Sequence, residues 1–330
     1  MEKSIYIFSS GALSRRGNTI AFERELGTRY IPVETIREIL VFGEVDINKR
    51  FLELLSQQEI LLHYFNYHSY YMGTFYPREH YNSGYMILCQ AQHYMESEKR
   101  LTLAKAFVKG AAGNIQRVLA YYKNRGKSVN TALDNIGQLV ATVEKQSQVD
   151  QLMAIEGNIR EQYYSAFDSI LENTDFMFEK RSRRPPENRL NALISFGNTI
   201  MYTTILSEIY KTHLDPRIGY LHTTNYRRFS LNLDVAEIFK PIIVDRVIFS
   251  LVANRSIQKD DFDHDKGGLI LKDSARERFV KAFDDKLKST IKHRKLGRHV
   301  LYRRLIRLEL YKIEKHLMGE EEYQPFLALW

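Results

Sequence analysis

Three segments of the sequence place a carboxylate or an imidazole where neighbouring residues suggest more than a solvated surface. In Ala154–Tyr164 a glutamate, Glu156, is followed by Gly157 on an otherwise packing helix. Glycine inside a helix costs about 1 kcal/mol relative to alanine, so it suggests close approach by another group. In Leu214–His222 a Pro/Gly turn delivers His222. In Leu231–Pro241, Asp234 and Glu237 lie three apart and share one helical face. Pro241 has no N–H for the carbonyl of Glu237, so a local kink is expected there. Two carboxylates and one imidazole would suit a hard or borderline divalent ion such as Mg²⁺ or Mn²⁺, not a thiolate-rich structural zinc site. Each piece has an ordinary alternative: a solvated helix acid, a helix-terminal histidine, a surface ion network. The chemistry requires the three segments to meet.

Other signals are weaker. Asp261, Asp263 and Asp265 mimic the start of an EF-hand loop, but Lys266 stands where the turn needs glycine and Lys272 where the bidentate glutamate belongs. Asp260–Gly267 therefore reads as an exposed loop, and His264-Asp265 alone does not make a hydrolase site. No Ser/His/Asp set, P-loop or GxGxxG fingerprint is present. The single cysteine, Cys89, excludes an internal disulfide and fits a reducing cytosol.

The elements that must position these residues fall into two regimes. Up to about residue 76, short Ile/Val/Tyr/Phe-rich runs are punctuated by glycines: Ser4–Phe8, Thr19–Phe22, Tyr30–Val33, Glu38–Phe42, Ile60–Phe65 and Tyr70–Phe75. One helix, Asp46–Gln57, interrupts them. Residues 77–84 read as a linker. From residue 85 to 330 the period is helical, with Arg100–Tyr122, Val149–Phe178, Asn188–Thr212, Leu231–Asn254, Lys272–His293 and Val300–Leu317 as helices and Arg181–Pro186 as a break. The fold class is α+β, a β-rich N-terminal domain followed by a larger all-α domain. At 330 residues, 44% hydrophobic and 27% charged, the chain can bury two cores. No run of roughly 18 apolar residues spans a membrane, and the N-terminus reads as a strand instead of a signal peptide, so a cytoplasmic protein is expected.

The formal charge of +8 is uneven. Between Arg276 and His316, 14 Lys/Arg stand against 5 Asp/Glu, so this stretch holds all of the net positive charge. Such a stretch suggests contact with a polyphosphate, although a solvated helix face would have the same composition.

Taken in order, these residues resemble the CRISPR-associated spacer-acquisition endonuclease/integrase, the universal first-numbered Cas protein. The marks run nearly the full length: Val41–Ile47; Lys99–Val108 with Asn114-Ile115-Gln116; the Glu156-Gly157 helix ending Tyr163-Tyr164; Arg181–Pro186 running into Asn191–Ser195; Asp215–His222; Leu233-Asp234 with Glu237; and Val244-Asp245-Arg246. The resemblance implies metal ligation and catalysis by Glu156, His222 and Glu237, with Asp234 and Tyr163 just behind them. It implies a divalent-metal-dependent enzyme, using Mg²⁺ or Mn²⁺, that inserts short DNA segments into CRISPR arrays by phosphodiester transesterification. Its implied partners are DNA, double-stranded, branched or with 3′ overhangs, including the CRISPR repeat; a second copy of the chain; and a small ferredoxin-like Cas protein. Candidate DNA contacts are Arg183, Arg184, Arg228, Lys292, Arg294, Lys295 and Arg298. The competing readings are a non-catalytic nucleic-acid scaffold and an RNA-processing metallonuclease.

Overall fold

The computed structural model describes residues 3–78, 81, 83–223, 229–265, 268–293 and 296–329. The chain divides into two compact units, Met1–His80 and Tyr81–Trp330.

In the first unit the strands are β1 (Lys3–Ile7), β2 (Gly11–Arg16), β3 (Thr19–Arg24), β4 (Gly27–Pro32), β5 (Ile36–Val41) and β6 (Val45–Ile47). They are followed by helix α1 (Lys49–Gln57) and strands β7 (Leu61–Phe65) and β8 (Tyr71–Phe75). Two four-stranded sheets form, in orders β1-β5-β7-β8 and β4-β3-β2-β6. Strand alternation sends Ile7, Ile39, Val41 and Leu62 of one sheet and Leu13, Ile20, Phe22 and Ile31 of the other into a common core. Phe51, Leu54 and Leu55 of α1 complete that core, and Asn48 caps the helix by accepting from Phe51 N at 3.0 Å. The sequence pattern misses β2 and β6. The first mixes small and basic residues, and the second is only three residues long.

The second unit comprises helices α2 (Gly84–Met95), α3 (Ser97–Lys123), α4 (Asn130–Thr142), α5 (Val149–Ser165), α6 (Phe167–Leu171), α7 (Arg189–Ile209), α8 (Leu231–Phe239) and α9 (Arg246–Ala253). A hairpin β9 (Phe262–Asp265)/β10 (Gly268–Leu271), helix α10 (Asp273–Lys288), a hairpin β11 (Thr290–His293)/β12 (Arg298–Leu301) and helix α11 (Tyr302–Leu317) follow. Helix α7 runs through the interior: 17 of its 21 residues are buried, so it is covered nearly all round. Its one buried acid, Glu208, is met by Arg303 at 2.9 Å and Arg307 at 2.5 Å from α11.

The α+β order holds, with two small hairpins added to the helical unit. Asp260–Gly267, expected as an exposed loop, instead supplies strand β9. The helix expected over Lys272–His293 stops at Lys288, where Ser289 turns extended and Thr290-Ile291 begin an alternating pattern. The long helices expected over 149–178 and 231–254 are each broken. The first ends near Ala166, and the second opens at Pro241–Asp245 into a π turn, in which Asp245 N reaches back to Lys240 O at 3.0 Å. The proline at 241 cannot supply the regular bond to Glu237, and the wider turn accommodates the loss.

The C-terminal tail is pinned by polar contacts. Asn114 Nδ2 donates to Ile238 O at 2.9 Å and Phe326 O at 3.0 Å, and its Oδ1 accepts from Ala328 N at 2.9 Å. Glu309 accepts from Tyr323 Oη at 2.6 Å and Phe326 N at 3.0 Å. Replacing Asn114 by alanine strands three backbone groups, two of them buried, and should cost about 2–4 kcal/mol. Thermal unfolding should register that loss, and amide exchange should speed up selectively over residues 323–328. Unchanged exchange there would show that the tail is held by packing alone.

Candidate active site

Helix α5 sets Glu156, Arg160, Tyr163 and Tyr164 on one face, at i, i+4, i+7 and i+8. Glu156 Oε1 accepts from Arg160 Nε at 2.9 Å and from Nη2 at 2.5 Å. The same guanidinium forms an ion pair with Glu237 Oε2 of α8. Glu237 Oε1 in turn accepts from Lys240 Nζ at 2.6 Å, and the Lys240 ammonium sits 4.6 Å from the centre of the Tyr202 ring. Acid, base, acid, base thus alternate through the interior. Burial opposes ionisation of Glu156, but Arg160, Lys240 and His222 outweigh it and hold its carboxyl below the ordinary range. Burial pulls Lys240 down from the usual lysine range, against the opposing influence of Tyr202.

His222 is held by Asp234, which is fully buried in the first turn of α8, where the helix dipole favours its charge. Asp234 Oδ2 accepts from Tyr220 N at 2.6 Å and Leu221 N at 3.1 Å. Its Oδ1 accepts from His222 N at 2.9 Å and faces His222 Nδ1 at 2.8 Å. A carboxylate can only accept, so Nδ1 carries a proton and is committed to Asp234, which leaves Nε2 as the ring nitrogen outside this bond. The turn is tight enough to demand glycine at 219. A Cβ there would lie 2.7 Å from the Ser230 carbonyl carbon and 2.9 Å from Asp234 Oδ2. Gln90 grips the start of this loop through both amide atoms, with Asp215 N at 2.7 Å and Asp215 O at 3.1 Å, and Arg100 Nε donates to Tyr220 O at 3.0 Å.

Behind Arg160 stands Asp245, pushed up to about 7 by burial in spite of Arg160, Tyr163 and Lys240. The Tyr163 hydroxyl, wholly buried, is driven well above its usual range by burial and by Asp245. Arg181 donates to Asn191 Oδ1 at 2.9 Å and to Ser195 Oγ at 3.0 Å.

The structure therefore draws Glu156 and Glu237 onto one cation, with His222 within electrostatic reach of Glu156. Glu237 is buried and not part of a surface network. Among the described residues no three His, Cys, Asp or Glu side chains are gathered as a closed ligand set; the guanidinium of Arg160 stands between the two glutamates. Gly157 does not mark close packing, since a Cβ there would meet nothing within 4 Å. The helix is open beside Glu156. Arg160, Lys240 and Tyr202 are residues of this cluster that sequence reasoning passed over, and Asp245 figures there only as a mark of the resemblance. The i,i+4 spacing of Glu156 and Arg160 and the i,i+3 spacing of Glu237 and Lys240 carried the signal for two of them.

Of the candidate DNA contacts, Arg183 and Arg184 are exposed, and the charge of Arg183 is felt at Arg181 and Tyr202, at the rim of the site. Lys292 and Arg298 are exposed on the β11/β12 hairpin but on opposite faces, because Lys292 pairs with His299 and Arg298 with His293. Arg228, Arg294 and Lys295 lie outside the described residues. The basic stretch is also partly neutralised internally: Arg276, Arg278, Arg303, Arg307, Lys312 and Lys315 each have an acidic partner. No described helix is long and apolar enough to cross a membrane.

The comparisons with known proteins agree over the whole length. The chain is 59% identical over 330 residues, covering 100% of both sequences, to the CRISPR-associated endonuclease Cas1 2 of Thermodesulfovibrio yellowstonii. The solved structure of a CAS1 protein from Thermotoga maritima superimposes with a TM-score of 0.90 at 50% identity, over 98% of this chain and 99% of that one. A casposase solved with its integration product shares the fold, with a TM-score of 0.89 at 18% identity over 99% of this chain and 93% of that one. With residues 5–285 matching the family model described as CRISPR associated protein Cas1, the chain belongs to the Cas1 family.

Proposed function

We propose that this chain is a divalent-metal-dependent DNA endonuclease and integrase that joins short DNA segments to CRISPR repeats. The observation that carries the reading is the convergence of Glu156 and Glu237, from separate helices, on a single cation, with the oriented imidazole of His222 within reach of Glu156. The donor set fits a hard divalent ion: two carboxylates and an imidazole, with Glu237 Oε2 buried and lacking a hydrogen bond although it faces Arg160. Glu156, His222 Nε2 and Glu237 would hold the ion, in competition with Arg160. Bound there, Mg²⁺ or Mn²⁺ would polarise the phosphoryl oxygens of the scissile group.

The residues of the chain do the rest. Asp234 fixes the His222 tautomer and ring orientation. Arg160 and Lys240 keep positive charge beside a site that must accept a phosphodiester. The open face at Gly157 leaves room for a strand beside Glu156. In the reaction, a 3′-hydroxyl of one DNA forms a new bond to phosphorus, and the bond from that phosphorus to a 3′-oxygen of the repeat strand breaks, releasing a 3′-hydroxyl. With water as nucleophile the same site cleaves. No covalent protein intermediate is required.

Substituting Glu156→Gln, His222→Ala or Glu237→Gln should each reduce DNA cleavage and strand joining about 1,000-fold or more, since several kcal/mol of charge stabilisation is lost. Asp234→Asn should cost about 10–100-fold, the usual effect of disturbing a ligand's hydrogen-bond partner. Excess chelator should abolish activity, and Mg²⁺ or Mn²⁺ should restore it. Activity that persists in chelator would favour the scaffold reading, with a contaminating nuclease as its source; preference for ribose-containing strands would favour the RNA reading.

The basic surface is proposed to track DNA backbone. Reversing the charges of Lys292, Arg294, Lys295 and Arg298 together should weaken binding at every sequence tested. It should also flatten the slope of log affinity against log salt by about one unit per lost contact. A slope identical to that of the parent protein would reduce these residues to a solvated surface.

Two strand joins at the two ends of a repeat need two sites, so the reading includes a homodimer, bridged with another by a small ferredoxin-like Cas partner. The first unit supports self-contact, with Leu26 94% and Tyr30 63% exposed at and beside the edge strand β4. Sedimentation at micromolar concentration should give a dimer that is lost when Leu26 and Tyr30 are both changed to Asp. A protein that is monomeric from the outset, or a dimer indifferent to this change, would remove the interface from this strand.

A further inference from the structure

Asp245 and Arg246 are adjacent, yet they serve different places. Asp245 is coupled to Arg160 and Tyr163, whereas Arg246 lines a separate cavity of about 610 Å³ within the helical unit. Arg117, Tyr121 and Arg125 border this cavity from α3 and the turn after it, Lys286 from α10 and Tyr302 from the start of α11. Among the described residues its lining contains four cationic side chains and neither Asp nor Glu.

Cations gathered in this way repel one another and lose hydration, so the arrangement needs something to hold it. Aromatic rings supply part of that. The Arg125 guanidinium lies 4.4 Å from the Tyr121 ring centre, Arg246 lies 4.1 Å from the same ring, and the Lys286 ammonium lies 4.0 Å from Tyr302. Stacking uses the flat face of a guanidinium and does not consume its in-plane N–H donors. Cation–π contacts order the side chains without cancelling their charge. The strain is visible at Lys286, which burial and then Arg246 push down to about 8.

We propose that this cavity is an anion site for phosphate groups, distinct from the Glu156–His222–Glu237 cluster. A pyrophosphate-sized group suits it better than a lone carboxylate. Guanidinium groups pair with phosphate oxygens in a bidentate fork, and the cavity draws Arg117, Arg125, Arg246 and Lys286 from three helices and a turn around one volume. The phosphate would come from a free nucleotide-type ligand or from the backbone of a strand, and the chemistry of recognition is the same.

The test is calorimetric titration of the full chain with inorganic pyrophosphate in chelator, so that no divalent ion links the anion to the glutamates. One pyrophosphate should bind per chain. Lys286→Met, which retains the contact with Tyr302, and Arg125→Ala, at an exposed position, should each weaken binding at least about tenfold while melting as the parent protein does. Lys292→Gln, outside the cavity, and Glu156→Gln should leave it within about twofold. A single-stranded oligonucleotide that displaces pyrophosphate would identify the ligand as strand backbone; failure to displace it would identify a free phosphate ligand. Absence of binding to the parent protein at millimolar pyrophosphate overturns the proposal, as does binding that is unaffected by both cavity variants.

Discussion

Taking Glu156 and Glu237 out of water costs several kcal/mol for each charge, and the fold can carry that cost only because Arg160 stands between them. The alternation continues to Lys240, so each charge along Glu156–Arg160–Glu237–Lys240 has an opposite neighbour and none is left alone. Deleting one member would leave its partners buried and uncompensated, a loss of about 3–5 kcal/mol in comparable cases. Helices α5 and α8, which both pack on α3, are tied to each other through this cluster. The same arrangement concentrates hard oxygen donors at a point that an ion could contest.

Asp234 performs a second, local task. One carboxylate accepts from three consecutive backbone amides and orients the imidazole that follows them. Gly219 is the steric condition for this strap, and Gln90 and Arg100 anchor its outer side. The loop bearing His222 is therefore shaped by α2, α3 and α8 at once. Just beyond α8, the π turn at Pro241–Asp245 shifts the helical register, so that Asp245 joins the Arg160 cluster and the next residue faces the basic cavity. A single missing N–H at Pro241 thus has consequences on two sides of the same segment.

The sequence by itself determined the change from strand to helical period near residue 80, because side-chain alternation of two and of 3.6 is written directly in the order of apolar residues. It also singled out Glu156, His222, Asp234 and Glu237 as residues able to do chemistry, and their order along the chain carries the family resemblance. What it could not determine was pairing. The Arg160 clasp with Glu237 joins residues far apart in the chain, and no local pattern encodes such a contact. Short β pairs such as β11/β12 escaped for the same reason, since a four-residue strand is defined by its partner. The open face beside Gly157 and the acid-free cavity around Arg246 are likewise products of packing. They exist because burial selects which charges meet, and burial is decided only when the helices close on one another.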